Sequence, residues 1–182
     1  NILSMSLVAA ERSSHIGGAL STVEILATLY NSFLKFDSSK PLWEDRDRFI
    51  LSKGHGCLGV YATLCEMGYF KKEDLNLFEQ NGSFLLGHPV INKNKGIEFS
   101  TGSLGMGLSL GIGVAIAAKK KKKNYNVFVL IGDGECNEGS IWEGAMSAAH
   151  FKLDNLTAII DKNNLQQTGT NNEIMSSKNL GN

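Results

Sequence analysis

Val127-Phe128-Val129-Leu130-Ile131-Gly132-Asp133-Gly134-Glu135 is the stretch from which the rest of the chain can be understood. Its first five residues are apolar and rich in β-branched side chains, as in a strand buried on both faces. The acidic turn therefore begins where a strand ends. From Ser140 to Phe151, Ile141, Trp142, Ala145, Ala148 and Ala149 recur at helical spacing, and a second apolar run, Leu156 to Ile160, leads into Asp161-Lys162-Asn163-Asn164-Leu165. Strand, helix, strand predicts a right-handed parallel crossover, which delivers both strand ends to the same edge of a sheet.

Asp133 and Asn163 should then meet. A carboxylate, an amide oxygen and a nearby backbone carbonyl are hard oxygen ligands of the kind magnesium prefers, and magnesium shares its shell with phosphates and water. Gly132 and Gly134 leave the backbone open to an anion, with the following helix N-terminus directed at it. These residues predict a magnesium diphosphate site, although Asp and Asn at strand ends also serve as turn residues that satisfy their own backbone.

The 182 residues suffice for one domain with a substantial core. The 20 glycines exceed the usual share of about 7%, so clusters such as Gly102-Ser103-Leu104-Gly105-Met106-Gly107 invite a backbone explanation. With 18 basic and 18 acidic residues, there is no global electrostatic case for nucleic acid or an anionic membrane. Cys57, Cys65 and Cys136 lack CxxC or Cys/His metal spacing, which favours a reduced, cytoplasmic setting. There is no leader and no lipid-spanning run. The start at Asn1 and the polar end, Gln166 to Asn182, suggest a piece of a longer chain: one domain over 1–182, truncated at its C-terminal end.

In chain order, Ile2 to Arg12 reads as a helix with Leu3, Leu7, Val8 and Ala10 on or near one face. Ser13-Ser14-His15-Ile16-Gly17-Gly18 reads as a sharp exposed turn. Ser21-Thr22-Val23-Glu24 reads as a capping box before a helix with an Ile25, Leu26, Leu29, Phe33 stripe. Phe49-Ile50-Leu51 is the first buried strand, followed by Ser52-Lys53-Gly54-His55-Gly56 and a helix. A His between two glycines there is placed to donate to a phosphate. Lys71 to Gln80 reads as an amphipathic surface helix, and Gly87-His88-Pro89 as a loop. Thr101 to Gly107 opens a glycine-spaced helix; Gly107, Gly111 and Gly113 suit tight helix-to-helix packing, while Gly102 and Gly105 better suit a cofactor. Lys119 to Lys123 is a solvated helix end favoured by the helix dipole. The fold class is α/β: a doubly wound, mostly parallel sheet flanked by helices.

GDG, twenty-eight residues and then NN resembles the thiamine diphosphate fingerprint, in the version found in transketolases. SSHIGG, DRDRFILSKGHG, GHP and STGSLGMG extend the resemblance in order, from Leu3 to about Gly169. SKGHG, GDGExxEGxxWE and AAHFKLDNL look closest to the split form, in which the first third of the enzyme is its own polypeptide.

The resemblance implies thiamine diphosphate and Mg2+ as cofactors, with Asp133, Asn163 and the Leu165 carbonyl holding the metal. His55 corresponds to a diphosphate-contacting His, and Gly134 and Glu135 offer backbone donors to the same group. Gly102 and Leu104 match the segment lining the aminopyrimidine. His15 and His88 match substrate-side histidines and are the candidates for moving protons to and from sugar hydroxyls. Glu138 and Glu143 match a subunit-interface network, and Asp161 a position beside the cofactor. The implied reaction transfers a two-carbon unit from a ketose phosphate to an aldose phosphate, the cofactor ring holding the carbanion. The glutamate that activates the aminopyrimidine comes in this family from a second domain or a C-terminal subunit, so a partner is expected, in a homodimer or heterotetramer. Ile16 departs from the Pro of many full-length members. Two alternatives stay open: another thiamine diphosphate enzyme (deoxyxylulose phosphate synthase-like, or a 2-oxo acid dehydrogenase first component), and a non-catalytic magnesium diphosphate-binding module.

Overall fold

The computed structural model describes residues 1–9 and 14–176. Three strands, β1 (Arg48–Leu51), β2 (Val127–Gly132) and β3 (Leu156–Asp161), form a parallel sheet in the order β1-β2-β3. The expected strands are these three. The register pairs Leu51 with Leu130 and Gly132 with Asp161, so all three strands end at one edge.

Side-chain alternation along the strands builds a core on each face. Phe49, Leu51 and Leu130 point to one, with Met5, Leu26, Leu29, Leu58, Tyr61 and Leu64. Ile50, Val127, Val129 and Ile131 point to the other, with Leu108, Ile112, Ala115 and Ile141. The first core seats the helices α1 (Ile2–Ala9), α2 (Ile16–Leu20), α3 (Val23–Thr28) and α4 (Cys57–Glu66). The second seats α5 (Met106–Lys120) and α6 (Gly139–His150). Helices on both faces of a parallel sheet are the doubly wound arrangement. β3 is an edge strand among the described residues, and its Thr157 and Ala158 are exposed.

Several local readings change. Residues 10–12 of the first expected helix, and Ser13, lie outside the described residues. α1 is seated through Met5 and Ala9 while Leu3 and Leu7 are exposed, because ILSMSLVA is apolar on more than one face and periodicity could not choose. Ile16-Gly17-Gly18 is helical rather than a turn. No capping box forms at Ser21: Thr22 is the N-cap without a side-chain bond, and its hydroxyl donates to Ala19 O at 2.7 Å. In the expected stripe Leu26 and Leu29 are buried, but Phe33, the last residue of a π-helical turn over Leu29–Phe33, is 63% exposed. Lys72–Leu77 is a 3-10 turn, set by Leu75 and Phe78, which are buried three residues apart. Gly107 admits the loop after β1 and Gly111 admits β2, rather than a second helix: a Cβ would fall 2.4 Å from Ser52 Cβ at the first and 2.5 Å from Val129 at the second, while Gly113 faces open space. Among the described residues no helix is long and apolar enough to cross a membrane.

Candidate active site

Three histidines from separate segments come together beside the loop that leaves β1. His15 precedes α2, His55 sits in the Gly54–Gly56 turn between β1 and α4, and His88 follows the buried Leu85. The His15 ring stands 5.5 Å from that of His55 and 6.0 Å from that of His88, both edge to face. Gly18 makes room for this, since a Cβ there would fall 2.8 Å from His55 Cδ2. The His88 loop is fastened to α4, whose Tyr61 hydroxyl donates to Leu86 O at 2.9 Å, and to Glu79, whose carboxylate accepts from Gly87 N–H. Gly102, at φ +144°, lies between His88 and Gly54: a Cβ on it would meet His88 Cδ2 at 2.7 Å, and one on Gly54 would meet the Gly102 Cα at 2.7 Å. No side chain fits at that contact.

Burial, then electrostatic repulsion from Lys53 and the neighbouring imidazoles, holds the His55 imidazole down to about 4. It is neutral near pH 7, with one donor and one acceptor nitrogen.

Beneath the histidines lies a buried ion pair. Lys53 is 1% exposed and Asp161 5%, and Lys53 Nζ lies 2.6 Å from Asp161 Oδ2. Ser21 donates its hydroxyl to the same oxygen at 2.5 Å. Asp161, expected beside the cofactor, thus joins the end of β3 to the loop after β1 and to the turn before α3. Sequence reasoning misses Ser21 and Lys53: Ser21 has the spacing of a cap, and Lys53 carries only the signal of a charge directly after a buried strand.

Asp133 meets the asparagine turn through Asn164 rather than Asn163. Asp133 N–H donates to Asp161 O at 3.1 Å, and Asn164 N–H donates to Asp133 Oδ2 at 2.7 Å. The two asparagines divide the work of one turn. Asn163 Oδ1 accepts from Leu165 N–H at 2.9 Å, and Asn164 takes the left-handed conformation, φ +61°, which Asn tolerates better than most residues. Gly134 N–H, expected to face a diphosphate, donates to Asp133 Oδ1 at 2.9 Å.

Glu135, a candidate for its backbone N–H, turns its side chain inward. Oε1 accepts from Ser52 Oγ at 2.5 Å and Gly105 N–H at 2.8 Å, and Oε2 accepts from Gly132 N–H at 3.0 Å. One carboxylate, 2% exposed, therefore joins the loops after β1 and β2 to the start of α5. Gly105 N-caps that helix at φ +82°, where a Cβ would fall 2.3 Å from Ser140 Oγ. Glu138 packs beside this turn and is exposed, as is Glu143 on α6; Leu104 and Asn163 are half-buried and Leu165 is exposed. His150 is exposed near the end of α6, its ring 5.0 Å from that of Phe151. An apolar groove of about 550 Å³, lined by Ile25, Leu29, Phe33, Phe128 and Ile159, involves none of these residues.

The donors suit a magnesium diphosphate. Asp133, Asn163 and Leu165 offer hard oxygens on the turns that follow β2 and β3, the type of donor magnesium prefers. Two buried atoms near this edge, Thr101 Oγ1 and Asn171 Oδ1, have no protein hydrogen-bond partner.

The family model described as the thiamine diphosphate-binding domain of transketolase matches residues 1–180. The chain is 46% identical over 172 residues to an apulose-4-phosphate transketolase subunit from Phocaeicola vulgatus, covering 94% of this chain and 61% of that protein. It is 43% identical over 160 residues to the 6-deoxy-6-sulfo-D-fructose transketolase subunit SqwG of a Clostridium species, covering 88% of this chain and 58% of that protein. The crystal structure of transketolase from Campylobacter jejuni superposes with a TM-score of 0.86 at 31% identity, covering 97% of this chain and 29% of that one. The chain thus spans about 60% of the length of the two curated relatives.

Proposed function

This chain belongs to the transketolase thiamine diphosphate-binding domain family, and from that membership we propose that it is the diphosphate-binding half of a transketolase active site, dependent on thiamine diphosphate and Mg2+ and completed by a pyrimidine-binding domain or subunit. The observation that carries the reading is the junction of Asp133 with the Asn163-Asn164 turn at the common end of β2 and β3. It stands beside a wall of three histidines, the pairing of an anchored diphosphate and a proton-handling surface that ketol transfer needs.

Asp133, Asn163 Oδ1 and the Leu165 carbonyl would hold the metal. His55, neutral and fixed by its glycines, would donate to the diphosphate together with the Glu135 N–H, whereas the Gly134 N–H is taken by Asp133 Oδ1. Gly102 and Leu104 would line the aminopyrimidine, and Asp161 would act through Lys53. When bound, thiamine diphosphate supplies the electron sink for breaking the carbon bond next to a ketose carbonyl. His15 and His88 take and return the protons of the sugar hydroxyls, a task suited to imidazoles held at a rim.

The substrates follow as a ketose phosphate donor and an aldose phosphate acceptor. Relatives named as transketolase subunits support a partner subunit; in this reading that partner supplies the activating glutamate, in a homodimer or heterotetramer, with Glu138 and Glu143 toward the interface. Three free, buried cysteines support a reducing, cytoplasmic setting. We read residues 1–182 as one domain.

Calorimetric titration with thiamine diphosphate in magnesium and in chelator, without and with the partner subunit, tests this. Magnesium-dependent binding that disappears in Asp133→Ala is expected; no binding under any of these conditions would overturn the assignment.

A further inference from the structure

Asp133 is the candidate metal ligand at the end of β2 and is 1% exposed. A carboxylate offers about four acceptor positions. Gly134 N–H takes one on Oδ1 at 2.9 Å, while Asn164 N–H at 2.7 Å and Asn171 Nδ2 at 2.8 Å take both on Oδ2. One position remains, on Oδ1. The carboxylate is therefore set to meet a cation through a single oxygen in a single direction.

Two of those donors are backbone groups in the loops that follow β2 and β3. The third is a side chain from 38 residues downstream. It is delivered by a short hairpin of β4 (Leu165–Gln166) and β5 (Gly169–Thr170), after which Asn171 opens the one-turn helix α7 (Asn171–Ile174). Asn171 N–H donates to Asn164 O at 3.0 Å, which fixes its backbone against the asparagine turn. Thr170 and Glu173 cap α7 reciprocally: Glu173 N–H donates to Thr170 Oγ1 at 3.3 Å, and Thr170 N–H to Glu173 Oε2 at 3.0 Å.

Asn171 is 6% exposed, and its amide oxygen has no protein partner. A buried orphaned polar group costs free energy that an apolar side chain would not. Packing alone would favour an apolar residue here, so the amide's presence is explained by what its NH2 does for Asp133. We propose that Asn171 is a positioning residue for the metal: it occupies Asp133 Oδ2 and so aims Oδ1 at the cation. The inference rests on the reading of Asp133 as a magnesium ligand.

The test is Mn2+ affinity, read by electron paramagnetic resonance of the free ion in the presence of thiamine diphosphate, in the full-length protein with its partner subunit. In Asn171→Ala and Asn171→Leu the Mn2+ dissociation constant should rise about 10–100-fold, the range for loss of a group that orients a metal ligand. Thr170→Ala combined with Glu173→Ala, which removes the cap of α7 and leaves the Asn171 amide in place, should change it little. Unchanged affinity in both Asn171 variants would overturn the proposal. So would an equal loss in the cap variant, which would assign the effect to hairpin packing. Failure of the wild-type protein to bind Mn2+ with thiamine diphosphate would instead remove the underlying reading, and this inference with it.

Discussion

Replacing Glu135 by Gln changes one oxygen to an NH2 and nothing in shape, so its effect can be worked from the hydrogen bonds. If the NH2 takes the Oε1 position, it faces Gly105 N–H, at 2.8 Å from the present oxygen. If it takes the Oε2 position, it faces Gly132 N–H, at 3.0 Å. The Ser52 hydroxyl can turn and accept, but a backbone N–H cannot. Either rotamer leaves one buried N–H facing a donor, a loss of about 1–3 kcal/mol. The surviving bonds become neutral and weaken by about half, while the lower cost of burying an amide works the other way. The net expectation for Glu135→Gln is about 2–4 kcal/mol of lost stability. Equilibrium urea unfolding at unchanged m-value measures it. Because the same carboxylate holds the start of α5 against the loops after β1 and β2, thiamine diphosphate affinity should fall as well. A variant within about 0.5 kcal/mol of wild type, the range of a neutral surface change, would refute the assignment of Glu135 as the clamp of these loops.

Two further outcomes follow from the same edge. Lys53→Met leaves Asp161 buried without its cation and should cost about 3–5 kcal/mol, while adding Asp161→Leu should recover much of the loss; a double variant as unstable as the sum of the singles would contradict the pairing. For His55, burial and nearby positive charge lower the folded value to about 4 from the ordinary 6.5, so the unfolded chain binds the proton more tightly. The stability it contributes is full above about pH 6.5 and is lost as pH falls toward about 4. Proton NMR of the imidazole should give that low midpoint, and His55→Gln should flatten the stability curve across the window; a midpoint near 6.5 would show that the ring is solvated.

Much of the architecture was legible because strands and their ends are local features. Phe49 to Leu51, Val127 to Ile131 and Leu156 to Ile160 announce themselves by composition, and a parallel crossover then leaves little choice about which loops share an edge. Helix faces were less legible where apolar residues point several ways, as in α1, or where a polar residue had two possible partners. Ser21 has the spacing of a cap, yet it spends its hydroxyl on Asp161, 140 residues away. Asn171 carries no local signal.

Local pattern along the chain was enough to specify the doubly wound sheet and the approach of Asp133 to the asparagine turn, and the ordered motifs carried the resemblance to a family. Which side chains hold those loops in register emerged only with the folded molecule. Ser52 and Gly105 on Glu135, Lys53 and Ser21 on Asp161, and Asn171 on Asp133 are contacts between distant segments. Their worth arises from burial, where a polar group without a partner is costly. Burial is a property of the assembled layers, and no window of sequence contains it.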